Sequence, residues 1–155
     1  MLQPGTSAPD FELPDAHGTT YRLGDVIANG PLILYFYPAD FTPGCTKEAC
    51  QIRDIHDDIT KVGLTVIGVS PQDGDTHRRF ADKFDLPFPL LCDPDKIAIT
   101  AYDVDGPFGM GTRRATFLIG QDGNILDAVL ADVRIERHAA FIEKAIAERA
   151  NAAAS

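Results

Sequence analysis

Residues 31–37 carry Leu32-Ile33-Leu34-Tyr35-Phe36-Tyr37 with no polar alternation, which predicts a central strand covered on both faces. Leu64-Thr65-Val66-Ile67-Gly68-Val69-Ser70 repeats the pattern and predicts a second buried strand. Between them the spacing turns helical. Cys45, Ala49, Ile52, Ile55 and Ile59 fall on one stripe while Arg53, Asp57 and Asp58 lie off it, so a single helix is expected from Pro43 to about Thr60. Asp73-Gly74-Asp75 opens the next helix, with Phe80, Ala81 and Phe84 facing inward.

The flanking segments complete the pattern. Residues 10–13 and 19–23 read as two short strands around the turn Asp15-Ala16-His17-Gly18, an edge hairpin. Residues 86–91 form a short strand interrupted by Pro87 and Pro89 and hence peripheral, and Asp93-Pro94 caps a brief helix through about Tyr102. Residues 103–112 form a loop. Residues 114–120 and 125–130 flank Gln121-Asp122-Gly123-Asn124, the strongest hairpin signal in the chain. Ile135, Ala139, Ile142, Ala145 and Ile146 mark a last helix through Arg149, with residues 150–155 expected to fray. Parallel βαβ units followed by a hairpin and a closing helix predict an α/β fold, a mixed central sheet with helices on both faces.

Composition narrows the class. A 155-residue chain that is 45% hydrophobic and 24% charged suits one domain, 1–155, with a real core. A net charge of −9 argues against phosphate-backbone binding and against attraction to an anionic lipid surface, so neither nucleic acid nor membrane is an expected partner. The first nine residues lack a basic, apolar leader and no segment approaches a membrane span, which makes the cytoplasm the expected address. Three cysteines are too few for a disulfide scaffold, and in a reducing compartment a close pair is expected to be catalytic.

That pair sits where the first helix begins. Thr42 suits the N-cap and Pro43 the first helical position, which sets Cys45 in the opening turn. Free amides and the positive end of the helix dipole favour a thiolate there, and Lys47 adds positive charge nearby. Four residues separate Cys45 from Cys50, which is neither the CxxC spacing nor a metal-ligand spacing. In an unbroken helix the two lie about 140° apart around the axis and roughly 8.7 Å apart at Cα. A disulfide spans only about 4.4–6.8 Å. If these two ever bond, the first turns of the helix must unwind.

Pro38-x3-Thr42-x2-Cys45 resembles the active-site signature of the peroxiredoxins. Tyr35-Phe36-Tyr37-Pro38, the run from Thr42 to Cys50, Arg53-Asp54, Ser70-Pro71, Leu91-Cys92-Asp93-Pro94-Asp95 and Arg114-Ala115-Thr116-Phe117 are similar to the bacterioferritin comigratory protein, or peroxiredoxin Q, branch. The resemblance implies a thioredoxin-like fold and thiol-dependent reduction of hydrogen peroxide and organic hydroperoxides, without a cofactor. It makes Cys45 the peroxidatic residue, Cys50 the resolving one, and a thioredoxin-type dithiol the reductant of their disulfide. Thr42, the Cys45 amide and Arg114 would supply donors to the leaving oxygen, Pro38 would shield the thiolate and Gly44 would leave room for substrate. Arg113 is expected on the other sheet face. The resemblance leans toward a monomer. Phe41 stands where this branch is expected to carry a polar residue, and Cys92 where a serine is expected.

Other readings follow from the same residues. A thiol-based peroxide sensor and a general disulfide oxidoreductase are the alternative activities, the latter weakened by the cysteine spacing. Cys92 is expected to be a silent core residue, and Glu48 either orients Arg114 or lies on an exposed helix face. His17, His56, His77 and His138 show no mutual metal spacing and are read as surface residues. The aspartate-rich turns lack a calcium-loop pattern, and no metal is expected.

Overall fold

In the computed structural model, which describes residues 1–154, the chain runs β1 (Glu12–Pro14), β2 (Thr20–Arg22), α1 (Leu23–Ile27), β3 (Leu32–Phe36), α2 (Pro43–Asp54), α3 (His56–Lys61) and β4 (Thr65–Ser70). It continues through α4 (Gly74–Phe84), β5 (Leu90–Cys92), α5 (Ile97–Ala101), β6 (Ala115–Ile119), β7 (Ile125–Leu130) and α6 (Glu136–Ala154). Five strands form one mixed sheet in the order β5-β4-β3-β6-β7. β3 is central: it pairs parallel with β4, Leu34 opposite Ile67, and antiparallel with β6, Leu34 opposite Phe117.

Strand alternation divides the apolar run of β3 between two cores. Leu32, Leu34 and Phe36 pack with Leu23 and Ile27 of α1 and with Ala98 and Ile99 of α5. Ile33, Tyr35 and Tyr37 pack with Ala49 and Ile52 of α2, Ile59 of α3, Phe80 of α4 and Ile142 of α6. Neither face meets water, which is why the strand carries no polar residue. Each such side chain contributes about 1.5–3 kcal/mol on burial.

Several expected elements change shape. The helix predicted from Pro43 to Thr60 breaks at Ile55 (φ −109°, ψ 9°) into α2 and α3, through a tight turn in which Ile55 N–H reaches Ile52 O at 3.2 Å. Ile52 and Ile59 both remain buried, so the stripe survives the break. β1 and β2 form their own two-stranded sheet and touch the edge strand β5 through one bridge, Asp15 to Leu91. α1 follows at once, and the expected strand at 86–91 is shifted to Leu90–Cys92, beyond the prolines. Helix α6 runs on to Ala154 instead of fraying at 150, consistent with the helix propensity of its alanine-rich end; Ser155 lies outside the described residues. Among the described residues no helix is long and apolar enough to cross a membrane.

Gly68, inside β4, is required by packing. A Cβ there would lie 2.7 Å from Tyr35 Cζ and 2.9 Å from Leu90 Cδ2. Replacement with alanine should force the β3 and β5 side chains apart at a cost of about 1–3 kcal/mol. Thermal denaturation of Gly68→Ala is expected to show a melting temperature lower by roughly 2–4 °C per kcal/mol lost. An unchanged midpoint would show that the sheet can relax around the added methyl.

Candidate active site

β3 ends at the carboxyl edge of its parallel pair with β4, and the chain turns there toward α2. Asp40 is the inward member of the turn: its carboxylate accepts from Tyr37 OH at 2.7 Å and lies 2.5 Å from His77 Nδ1, while its amide donates to Gln72 Oε1 at 3.1 Å. Phe41, the next residue, takes a left-handed conformation (φ 64°) that a non-glycine residue adopts at a cost of order 1–3 kcal/mol. The residue is 42% exposed, and its ring rests edge-on against Phe80, centroids 5.2 Å apart. The residue expected to be polar thus packs as a lid on α4.

Thr42 is the N-cap by backbone conformation (φ −75°, ψ 150°), and Thr46 N–H bonds to its carbonyl at 2.9 Å. The hydroxyl does not cap; it donates to Ala39 O at 2.8 Å. With Pro43 first in the helix, the amides of Gly44 and Cys45 have no intrahelical acceptor and no side-chain cap. Cys45 is buried, 2% exposed, on the inward stripe. Arg114 reaches it from across the sheet: Nη1 donates to Cys45 Sγ at 3.4 Å and to Glu48 Oε1 at 2.8 Å. Strand parity brings it there, because Arg114 shares its face with Thr116, whereas Arg113 pairs with Asp132 at 2.8 Å nearer the solvent. A Cβ on Gly44 would meet Arg114 Nη2 at 3.0 Å, so glycine leaves the guanidinium room to approach the thiol. Pro38 is half-buried, and Thr42 and Lys47 are exposed.

Glu48 is the residue whose reading was divided between a role and an exposed face, and it is 1% exposed. Burial pushes its carboxyl up to about 7, an effect that the charge and hydrogen bond of Arg114 only partly oppose. Its second oxygen, Oε2, has no hydrogen-bond partner and faces His138 Nδ1 at 3.5 Å. His138 Nε2 lies 2.9 Å from Ala131 O, which can only accept, so the ring proton belongs on Nε2 and Nδ1 is left to accept from Thr116 OH at 2.8 Å. Burial lowers the His138 pKa, in keeping with this neutral imidazole.

His138 and His77 are therefore not surface residues: both are fully buried and bonded to backbone carbonyls, whereas His17 is exposed and His56 half-buried. The signal for them was present. His138 falls between Ile135 and Ile142 on the stripe of α6, and His77 three residues before Phe80 on that of α4.

All three cysteines are free. α2 is unbroken from Cys45 to Cys50, and Cys50 is half-buried off the stripe. One turn on, Arg53 ties the end of α2 to α4 through a 2.8 Å bond to Phe84 O. Cys92 is buried at the edge strand under Asp15, and burial followed by the charges of Asp73 and Asp15 raises its thiol to about 11, a protonated and inert group.

Residues 4–128 match the model of the AhpC/TSA family. The chain is 42% identical over 131 residues to Peroxiredoxin Bcp of Bacillus subtilis, covering 81% of this chain and 83% of that one. The crystal structure of peroxidoxin BcpB from Mycobacterium tuberculosis superposes with a TM-score of 0.87 at 34% identity, over 97% of this chain and 98% of that one. The bacterioferritin comigratory protein of Xanthomonas campestris, studied for its alkyl peroxide reduction activity, gives a TM-score of 0.82 at 29% identity over 97% and 98% of the two chains. With the sheet superposing on such a structure and the family model matching most of the chain, the chain belongs to the AhpC/TSA family and is a peroxiredoxin, a thiol peroxidase, of the Bcp/peroxiredoxin Q type.

Proposed function

We propose that this single-domain peroxiredoxin reduces hydrogen peroxide and organic hydroperoxides through Cys45, resolves the product with Cys50 and is recycled by a thioredoxin-type dithiol, acting as a monomer in the cytoplasm. The observation that carries the reading is the 3.4 Å bond from Arg114 Nη1 to Cys45 Sγ at the uncapped start of α2. A guanidinium donates to a buried sulfur in the opening turn of a helix whose first amides are uncapped, the arrangement that favours a thiolate and stabilises an oxyanion leaving it.

The thiolate attacks the nearer peroxide oxygen, the O–O bond breaks, and the departing oxygen leaves as alcohol or water after taking a proton. Arg114, the Cys45 amide and the Thr42 hydroxyl, released from Ala39 O, donate to that oxygen, and Pro38 limits water at the rim. Cys45 is left as a sulfenic acid. Cys50 sulfur then attacks Cys45 Sγ, the S–O bond breaks, and the hydroxyl leaves as water with the Cys50 proton. Because the two Cα atoms of an intact helix are roughly 8.7 Å apart, the first turns of α2 unwind for this step. A dithiol donor returns two electrons to the disulfide by exchange.

Hydroperoxide consumption with thioredoxin and thioredoxin reductase tests the assignments. Cys45→Ser should fall to background, and Cys50→Ser should accumulate a sulfenic acid that a dimedone-type probe traps. Full activity in Cys45→Ser would remove the nucleophile from the proposal. Oxidation of the wild type should also lower the helical signal in circular dichroism, and an unchanged spectrum would exclude a Cys45–Cys50 bond.

The raised carboxyl of Glu48 gives a separate expectation. Folded, it holds a proton that the unfolded chain has already released above its ordinary carboxylate range, so its contribution is intact at low pH and is lost as pH rises toward about 7. The loss amounts to about 3 kcal/mol at most. Urea denaturation at pH 5 and pH 8 should show the wild type losing more stability over that interval than Glu48→Gln. Parallel pH profiles for the two proteins would mean that Glu48 is ionised throughout.

A further inference from the structure

The buried Tyr37–Asp40–His77 cluster takes no part in the chemistry above, yet it grips the loop that carries Pro38 and Thr42. Both the His77 and Asp40 side chains are fully buried. His77 Nε2 lies 2.9 Å from Leu91 O, so that nitrogen carries a proton, and the opposite nitrogen, Nδ1, lies 2.5 Å from Asp40 Oδ2. A further proton must therefore sit between imidazole and carboxyl, and in either distribution the pair is bonded and shielded from solvent. Tyr37 OH occupies the other carboxyl oxygen at 2.7 Å. Gln72 adds two backbone ties, from its Nε2 to Pro38 O at 3.3 Å and from Asp40 N to its Oε1 at 3.1 Å.

We propose that Asp40 and His77 are positioning residues of the peroxidase cycle: their bond holds residues 38–42 in the conformation that forms the Cys45 pocket, and its strength sets how readily α2 leaves that conformation for Cys50 to reach Cys45. The strained turn argues for it, because Phe41 has a positive φ immediately after the anchored residue and Thr42 starts the helix immediately after Phe41. Without the anchor the turn relaxes, and Thr42 and the open amides of α2 move with it. The inference rests on the Cys45–Cys50 reading above, and it requires the two halves of the cycle to respond in opposite directions. Peroxide attack needs the anchored loop; disulfide formation needs the released one.

Stopped-flow single turnovers with hydrogen peroxide on the full-length chain separate the steps. For His77→Phe, which keeps a ring and removes both bonds, oxidation of Cys45 should slow about tenfold and the following disulfide step should speed up severalfold. Less sulfinic acid should form at high peroxide, because the sulfenic acid is resolved sooner. Asp40→Asn, which retains an acceptor for Tyr37 and a donor for His77, should restore most of both rates. If both rates fall together, or neither changes, the anchor has no positioning role and the proposal fails. If His77→Phe does not fold, Tyr37→Phe and Asp40→Ala, measured in the same way, carry the same opposed expectation. A wild type that forms no Cys45–Cys50 disulfide would overturn the resolving step of the proposed function instead, and the anchor would then stand or fall on the rate of Cys45 oxidation alone.

Discussion

One guanidinium faces two groups that can be negative, in a place where water does not reach. Arg114 donates through the same nitrogen to Cys45 Sγ and Glu48 Oε1, and both partners are buried. A carboxylate so enclosed is costly, and the raised Glu48 carboxyl records that the arginine does not fully offset the burial. Neither Glu48 nor the sulfur can take the whole positive charge without weakening the other's hold on it. The sheet has to keep Arg114 aimed within this narrow space, and the pairing of β6 with β3 on one side and β7 on the other does so.

The two ends of α2 are held differently. α2 is packed through Ala49 and Ile52 and tied to α4 at its far end by Arg53, while its near end has no side-chain cap and follows a strained residue. Cys45 lies in the same buried cluster as Ala49 and Ile52, so the near end is held by apolar packing and not by a cap. Any opening of the first turns would have to give up that packing, although no side-chain cap would have to break. The break at Ile55 makes α3 a segment separate from α2, with Ile59 buried on its own account.

Much of the architecture was legible because it follows from local spacing. An apolar run without alternation gave β3, helical stripes gave the inward faces of α2, α4 and α6, and Gln121-Asp122-Gly123-Asn124 gave the β6–β7 hairpin. The reactive cysteine was legible for a similar reason: Thr42 and Pro43 define a helix start, and a cysteine three residues after an N-cap meets open amides wherever the helix lies. The buried histidines run against their residue type, which is usually found at or near the surface, and follow their place on an apolar stripe instead. His77 and His138 sit on such stripes, and each satisfies its ring nitrogens with a carbonyl on one side and a side chain on the other.

By itself the sequence determined what depends on neighbours along the chain: the strands, the helix faces, the start of α2 and the separation of Cys45 from Cys50. Only the tertiary structure decided what meets across it. Arg114 lies 69 residues from Cys45 and Asp40 lies 37 residues from His77, so no periodicity relates them. Sheet order and strand parity bring the arginine to the sulfur, and the packing of α4 against the sheet brings the histidine to the loop. The upward push on the Glu48 carboxyl arises there too, because a carboxyl's preference for its proton depends on how much water the fold removes from around it.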